Sequence, residues 1–173
     1  MRSAGTKLGL AVAATAGLAL AAGPASAQLD PRAPIDITAD SSVTVQSQCQ
    51  TTWSGAVEAL QAATRLRADT VKLFARKSGD SCGTSDRMEA NGQVYFVTPE
   101  RTVRADDAVY TFGNQTIVLT GNVIVVQGKS VVRGDRMVIN TGTGEANMTS
   151  AAKGRNKPGR VRGVFYPNEQ GKR

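Results

Sequence analysis

The stretch Thr116–Val123 (TIVLTGNV), followed closely by Val132–Asp135 (VRGD), is the clearest copy of a unit that recurs along the chain. It contains two tripeptides that repeat elsewhere, Gly-x-Val and Arg-small-Asp. The second series ends in aspartates 69, 106 and 135, preceded by a degenerate copy ending at 40, so the spacings are 29, 37 and 29 residues. The first series begins at glycines 55, 92 and 121, with spacings of 37 and 29. Self-similarity at about 20–50 residues predicts an array of like units, here of roughly 29 residues, that share one core.

The longer interval contains eight extra residues, and they fall after Asp69 and before Gly92 in both series. The segment Ser78–Asp86 (SGDSCGTSD) has the composition of a loop. We therefore expect it to be an insertion in an otherwise regular array.

Apolar residues alternate with other residues after each of these glycines and aspartates, which predicts strands. Each unit is interpreted as two short antiparallel strands, with turns at the Arg-small-Asp positions and hairpin signals at Asn91-Gly92 and Thr120-Gly121-Asn122. Each Asp is expected to accept hydrogen bonds from backbone N–H groups two residues on. The sequence thus predicts an all-β fold with one apolar face. A parallel β-helix is the alternative, because its rungs also repeat.

The N-terminus has the pattern of a cleaved secretion signal. Arg2 and Lys7 precede the apolar run Leu8–Ala22, and Ala25–Ala27 (ASA) fits a cleavage site. The run is shorter than the ~20 residues of a membrane-spanning helix. We expect a signal peptide at residues 1–27, a repeat domain at 28–150, and a basic C-terminal segment at 151–173 with a last strand at 161–166.

Charge is unevenly distributed along the chain. The net charge is +7 overall, and residues 151–173 contain seven Lys or Arg and one acid. A nearly neutral body with a basic tail argues against nucleic acid as a partner. The tail is either a solvated terminus or a contact for an anionic surface or phosphorylated ligand. Arg67, Arg104 and Arg133 recur in phase, as a polar outer ladder or as phosphate ligands.

The two cysteines, Cys49 and Cys82, lie in corresponding parts of successive units, and an oxidising compartment favours a disulfide between them. Two cysteines without any histidine do not suit a metal site. The adjacent carboxylates of Asp106 and Asp107 point to opposite faces of a strand, which is unsuitable for acid–base catalysis. The sequence therefore predicts no enzyme, no metal and no cofactor.

Order and spacing together resemble a known family. Thr116–Val123 with Val132–Asp135 is similar to the signature of the OstA-like/LptA periplasmic lipopolysaccharide-transport proteins. Pro34–Asp40 resembles the first strand of that family, and Arg160–Pro167 resembles its C-terminal end. The resemblance covers almost all of 34–167. The sequence departs from the family pattern in the insertion, the cysteine pair and the use of Gly-Ala-Val at 55–57 in place of Gly-Asn-Val.

The resemblance implies a β-jelly-roll, a V-shaped antiparallel sheet folded over an apolar interior. It further implies a periplasmic protein that carries lipopolysaccharide from the inner to the outer membrane, holding the lipid A acyl chains inside. Its ends would dock onto OstA-like domains of the inner- and outer-membrane components, or onto further copies in a head-to-tail homo-oligomer.

Candidate ligand-binding residues follow from the resemblance and from strand alternation. The family's apolar first strand places Ile35 and Ile37 at the N-terminal rim. Alternation, read with the implied lipid role, places inside the fold Val71, Leu73, Val94, Phe96, Tyr110, Phe112, Ile117, Leu119, Val123, Val125, Met137 and Ile139. The same residues equally suit an ordinary closed core. A non-carrier adaptor on the same fold is therefore an alternative function, and a secreted polysaccharide hydrolase on a β-helix is a third, although it lacks convergent carboxylates.

Overall fold

The computed structural model describes residues 33–167. The signal peptide expected at 1–27 lies outside the described residues, as does the end of the basic segment. In chain order the strands are β1 (Asp36–Thr38), β2 (Ser41–Val45), β3 (Gln50–Gln61), β4 (Thr64–Ser78), β5 (Ser81–Val97), β6 (Thr102–Thr111), β7 (Thr116–Gln127), β8 (Ser130–Asn140), β9 (Ala146–Thr149) and β10 (Arg162–Val164). The last strand lies within the 161–166 stretch where a strand was expected.

The described strands form one antiparallel sheet in the order β1-β3-β4-β5-β6-β7-β8-β10, with β2 on β3 and β9 on β8. Every strand pair in residues 33–167 is antiparallel, which excludes a parallel β-helix. The predicted all-β, jelly-roll class is confirmed. The short connection between β2 and β3 is a single 3-10 turn, Gln46–Gln48.

A line of irregularities, here called the crease, divides the sheet into two half-sheets. The register shifts in every pairing between β3 and β8, at positions 54/57, 67/70, 91/94, 104/107 and 120/123. The first half-sheet contains β1, β10 and the segments 57–61, 64–68, 94–97, 102–105, 123–127 and 130–134. The second contains β2, β9 and the segments 50–54, 70–78, 81–91, 107–111, 116–120 and 136–140.

The recurrent glycines form the crease, so the predictions of hairpin turns at Asn91-Gly92 and Thr120-Gly121-Asn122 are wrong. Gly121 has φ +78° and Asn122 φ +46°, and both lie within β7. Two successive left-handed residues make a β-bulge, which bends a strand without ending it. Asn tolerates this region better than most residues. Its side-chain amide donates a hydrogen bond of 2.9 Å to Asp106 Oδ2.

The Arg-small-Asp tripeptides also lie within strands, so the expected turns at these positions are wrong. Asp106 is in β6, directly beside the β7 bulge. The short strands expected on either side of each tripeptide are the two halves of one long strand. A left-handed glycine is compatible with both a hairpin turn and a bulge, and this ambiguity is the physical reason for the difference.

The Ser78–Asp86 segment is not a loop outside the sheet. Residues 81–86 begin β5 and pair with the end of β4, so the extra residues lengthen one hairpin. The predicted disulfide between Cys49 and Cys82 is confirmed, with a Cα–Cα distance of 5.4 Å. It connects this extended hairpin to the chain just before β3.

The core lies between the two half-sheets. Its buried members come from both halves and form a single cluster, for example Val57 and Val94 from the first half and Val71 and Leu119 from the second. One face of a continuous sheet is thus folded against itself. The ends of the sheet are formed by β1 with β2 on one side and by β9 with β10 on the other.

Candidate functional site

The inner face of the folded sheet carries the apolar stripe expected from the sequence. Four of the predicted residues are fully enclosed, since Val71, Val94, Leu119 and Val123 have no exposed surface. Six more are buried: Phe96, Tyr110, Ile117, Val125, Met137 and Ile139. Ile35, Ile37, Leu73 and Phe112 are half-buried and pack against the margins of the cluster. The structure therefore brings all fourteen predicted residues to one interior.

An apolar cavity lies between the half-sheets near the β3–β4 turn. Ile35, Leu66 and Phe96 line it from the first half-sheet, and Tyr110 and Ile117 line it from the second. Its volume is about 40 Å³. An apolar cavity that accommodates benzene in other proteins is ~150 Å³. The trough expected from the sequence is thus nearly closed at this end, and buried side chains of both half-sheets pack into one cluster.

Tyr110 places a polar group inside this apolar interior. The residue is 5 % exposed, and its hydroxyl has no hydrogen-bond partner among the described residues. Its ring packs against Phe112 with a centroid distance of 4.6 Å. A buried hydroxyl without a partner costs about 1–3 kcal/mol. Ligand pockets typically combine an apolar wall with a few polar groups of this kind.

Sequence reasoning missed several residues of the same interior. The largest are Leu66, Met88 and Val103, which are all buried. Leu66 and Val103 directly precede the recurrent arginines at 67 and 104, so the repeat itself contained the signal. Met88 and Ala90 continue the alternation backwards from Gly92 towards the Ser78–Asp86 segment, and the interpretation of that segment as an insertion concealed their phase.

The outer face of the first half-sheet carries a row of cross-strand neighbours, here called the arginine row. Register places side by side Glu58, Arg67, Tyr95, Arg104, Ile124, Arg133 and Arg162. The three recurrent arginines therefore share one line, on the face opposite the core. They belong to an outer ladder, as one of the two sequence interpretations proposed.

Glu58 is the acidic member of this row. Its Oε1 accepts a hydrogen bond from Arg67 Nε at 2.8 Å, and Arg65 Nε lies at 3.3 Å. The hydrogen bond from Arg67 is the main cause that holds the pKa of Glu58 below its ordinary value; desolvation opposes it, and the charges of Arg65 and Arg67 lower the pKa further.

Residues 33–167 contain no group of three or more metal-ligating side chains. No helix in this part of the chain is long and apolar enough to cross a membrane.

Comparison with known proteins agrees with this architecture. Residues 36–145, which are 110 of 173, match the family model described as LptA/(LptD N-terminal domain) LPS transport protein. The chain belongs to this LptA/LptD N-terminal domain family. A curated relative in Rhizobium meliloti (strain 1021), an uncharacterised protein, is 29 % identical over 148 residues, which cover 82 % of this chain and 80 % of the relative.

The LptA-type fold is also seen in a solved structure. LptH of Pseudomonas aeruginosa, described as the LptA homologous periplasmic component of a lipopolysaccharide transport device, aligns with a TM-score of 0.67. The alignment covers 80 % of this chain and 99 % of LptH, at 21 % sequence identity. At this identity the similarity establishes a shared fold.

Proposed function

We propose that this protein is a periplasmic, lipopolysaccharide-binding component of the LPS transport machinery that carries lipopolysaccharide from the inner to the outer membrane. It holds the acyl chains between its two half-sheets and performs no chemical conversion. The observation that supports this proposal most is the continuous apolar inner face of the sheet. In the described chain, the two half-sheets that enclose this face are connected across the crease, and no strand pairing joins them elsewhere.

This arrangement allows the interior to open without loss of strand pairing. Separating the half-sheets bends the strands at bulges that already interrupt the ladder. It also breaks the apolar packing between opposing side chains such as Phe96 and Tyr110. An acyl chain replaces that packing with interactions of the same kind, worth about 0.8 kcal/mol per buried CH₂. Entry of lipid therefore replaces apolar contacts within the protein with similar apolar contacts to the acyl chain.

Tyr110 supplies a polar contact for such a lipid. Tyr110 lines the cavity, and its buried hydroxyl has no partner in the described chain. In our proposal it donates a hydrogen bond to an ester or hydroxyl oxygen where an acyl chain joins its headgroup. The binding of lipid then satisfies a group that is otherwise left unpaired.

The two ends of the sheet provide docking surfaces. Edge strands present unpaired N–H and C=O groups, which allow strand addition. Half-buried Ile37 lies in β1 at one edge, and the exposed side chains of Val164 and Phe165 lie at or beside β10 at the other. In our proposal these edges meet OstA-like domains of the inner- and outer-membrane components, or another copy in a head-to-tail homo-oligomer.

One observation favours a second candidate, a non-carrier adaptor within the same machinery. The cavity of about 40 Å³ is too small for an acyl chain unless the half-sheets separate. An adaptor would keep the interior filled and use only its edges.

Site-specific photocrosslinking distinguishes the two candidates. A photoreactive phenylalanine analogue replaces Phe112, a half-buried residue at the margin of the interior. The matched control carries the analogue at Val43, which is 62 % exposed. Its neighbour Ser42 is paired with Trp53, which packs against the core, and successive side chains of a strand alternate, so Val43 points away from the core. We expect cross-links to lipopolysaccharide at position 112 and none at position 43.

Native mass spectrometry of the protein purified from the periplasm provides a second measurement, with a bound lipid A-type mass expected. Cross-links at neither position, together with a lipid-free mass, would reject the carrier role. If these results came with retained docking to the partner domains, they would establish the adaptor role. Equal cross-linking at both positions would place the lipid outside the interior.

A further inference from the structure

Two arginines face each other at the end of the arginine row. Arg162 of β10 is paired in register with Arg133 of β8, and both side chains line one outer groove. Like charges directly opposite each other in a sheet are destabilising. Neither guanidinium forms an ion pair with a carboxylate within residues 33–167. The nearest acid along β8 is Asp135, whose Oδ2 accepts a hydrogen bond from the Ala151 backbone N–H.

The other arginines of the row have partners. Arg67 donates to Glu58 at 2.8 Å, and the guanidinium of Arg104 lies 6.0 Å from the ring centroid of Tyr95. The charge of the row thus differs between its two ends. It is neutralised at β3 and β4 and purely cationic at β8 and β10. A polar outer ladder alone does not require this difference.

The groove around the arginine pair is built from neighbouring outer-face residues. Its remaining walls are Lys129, Val131, Val164 and Tyr166, and its volume is about 290 Å³. The Tyr166 backbone N–H donates to Ser130 Oγ at 3.4 Å, which positions the tyrosine beside the β8 end. The charged residues that line the groove, Lys129, Arg133 and Arg162, are all cationic, which favours an anion as the ligand.

We propose that Arg133 and Arg162 form an oxyanion site for a phosphate group on the outer face of the sheet. Two arginines that line one groove suit the multiple oxygens of a phosphate, to which arginine makes paired hydrogen bonds. Binding relieves the repulsion between the two charges. The site lies on the face opposite the apolar interior, so it does not rest on the lipid-carrying role and either proposal can fail alone.

The phosphate has two chemical sources, a soluble phosphorylated compound or the headgroup of an anionic lipid, and two titrations separate them. Pyrophosphate is titrated into the protein (residues 28–173) at low ionic strength, and binding is followed by amide chemical shifts in ¹H–¹⁵N spectra. Flotation is then measured with vesicles of phosphatidylcholine alone and of phosphatidylcholine containing increasing phosphatidylglycerol. The variants are R133Q/R162Q and, as a control with the same change of charge in the basic C-terminal segment, R155Q/K157Q.

We expect shifts centred on β8 and β10, and a loss of affinity for pyrophosphate of at least about tenfold in R133Q/R162Q, as for the loss of one or two charge-assisted hydrogen bonds. The control should change by less than about twofold. Flotation with anionic vesicles that R133Q/R162Q abolishes would identify a lipid headgroup, and binding of pyrophosphate alone would identify a soluble phosphate.

Equal losses in both double variants would overturn the site and leave only a diffuse basic surface. Absence of binding by the unsubstituted protein at low ionic strength to either pyrophosphate or anionic vesicles would also overturn it. Both arginines are exposed, and their replacement removes the repulsion between them, so a melting temperature equal to or slightly above that of the unsubstituted protein is expected and serves as the folding control.

Discussion

The carboxylate of Asp106 lies directly over the α-carbon of Gly121 on the neighbouring strand, in the space that a β-carbon would occupy. Asp69 occupies the same position over Gly92, and Asp40 over Gly55. The Gly-x-Val series and the Arg-small-Asp series of the sequence therefore supply the two residues of one repeated contact. This contact forms the crease, and the crease allows a single sheet to enclose its own apolar face.

The first prediction concerns Gly121→Ala, which should destabilise the protein for two separate reasons. A left-handed conformation costs a non-glycine residue about 1–2 kcal/mol. The new methyl group also collides with Asp106, and overpacking adds about 1–3 kcal/mol. Gly128→Ala is the matched control, because Gly128 has φ +56° and nothing lies within 4 Å of the point where its methyl group would stand.

Urea denaturation measures both variants. We expect Gly121→Ala to lower the free energy of unfolding by at least about 1 kcal/mol more than Gly128→Ala does, because only the methyl group at position 121 collides with Asp106. Equal losses would mean that Asp106 moves aside freely and that the contact does not define the crease.

The residues of the crease show which features of this fold the sequence predicts and which it does not. The positions of Gly92 and Gly121 could be recognised from their repeat, and so could the facing aspartates. Whether each glycine marks a hairpin or a bulge could not be recognised from the sequence, because both structures use a glycine at positive φ. The choice depends on whether the residues on both sides continue to pair with the same neighbours, as Thr120 and Val123 do with β8.

The candidate site shows a similar division. Alternation placed residues such as Val94 and Leu119 on the correct face, because the period of a strand is independent of its partners. The width of the space between the half-sheets could not be derived, since it depends on how side chains from distant strands interdigitate. Ile35 and Tyr110, for example, line the same cavity although they are far apart in sequence.

The second prediction concerns the disulfide. Cys49 and Cys82 are 33 residues apart, and closing such a loop stabilises a protein by roughly 3–4 kcal/mol on the chain-entropy model. We expect the double variant C49A/C82S to lower the free energy of unfolding by about that amount. Urea denaturation with and without reductant checks it. Reductant should destabilise the unsubstituted protein and leave the double variant unchanged, whereas identical curves for the unsubstituted protein would contradict the prediction.

The third prediction concerns Glu58 and pH. The folded-state pKa of this carboxyl is lowered, chiefly by the hydrogen bond from Arg67. Its ion pairs therefore stabilise the protein above the ordinary pKa of a glutamate, and this contribution disappears as the pH falls towards the lower folded pKa. We expect an NMR titration of the Glu58 carboxyl carbon to give a lower midpoint in the folded protein than in urea.

Arg67→Gln should move that midpoint upward by more than Arg65→Gln does, because the hydrogen bond from Arg67 is the larger cause. The reverse order, or no movement in either variant, would show that the interactions of Glu58 are not maintained in solution.

The fourth prediction concerns the hydroxyl of Tyr110. Because this group is buried without a partner in the described chain, Tyr110→Phe should raise the free energy of unfolding of the lipid-free protein by about 1 kcal/mol or more. The same variant should capture less lipopolysaccharide, since the bound lipid then has no hydroxyl donor to pair with. Tyr95→Phe on the outer face is the control, with changes within about 0.5 kcal/mol and unaltered capture. Urea denaturation and photocrosslinking at position 112 measure the two effects. A gain in stability with unchanged capture would show that Tyr110 does not bind the lipid, while a loss of stability would show that its hydroxyl is paired within the folded protein.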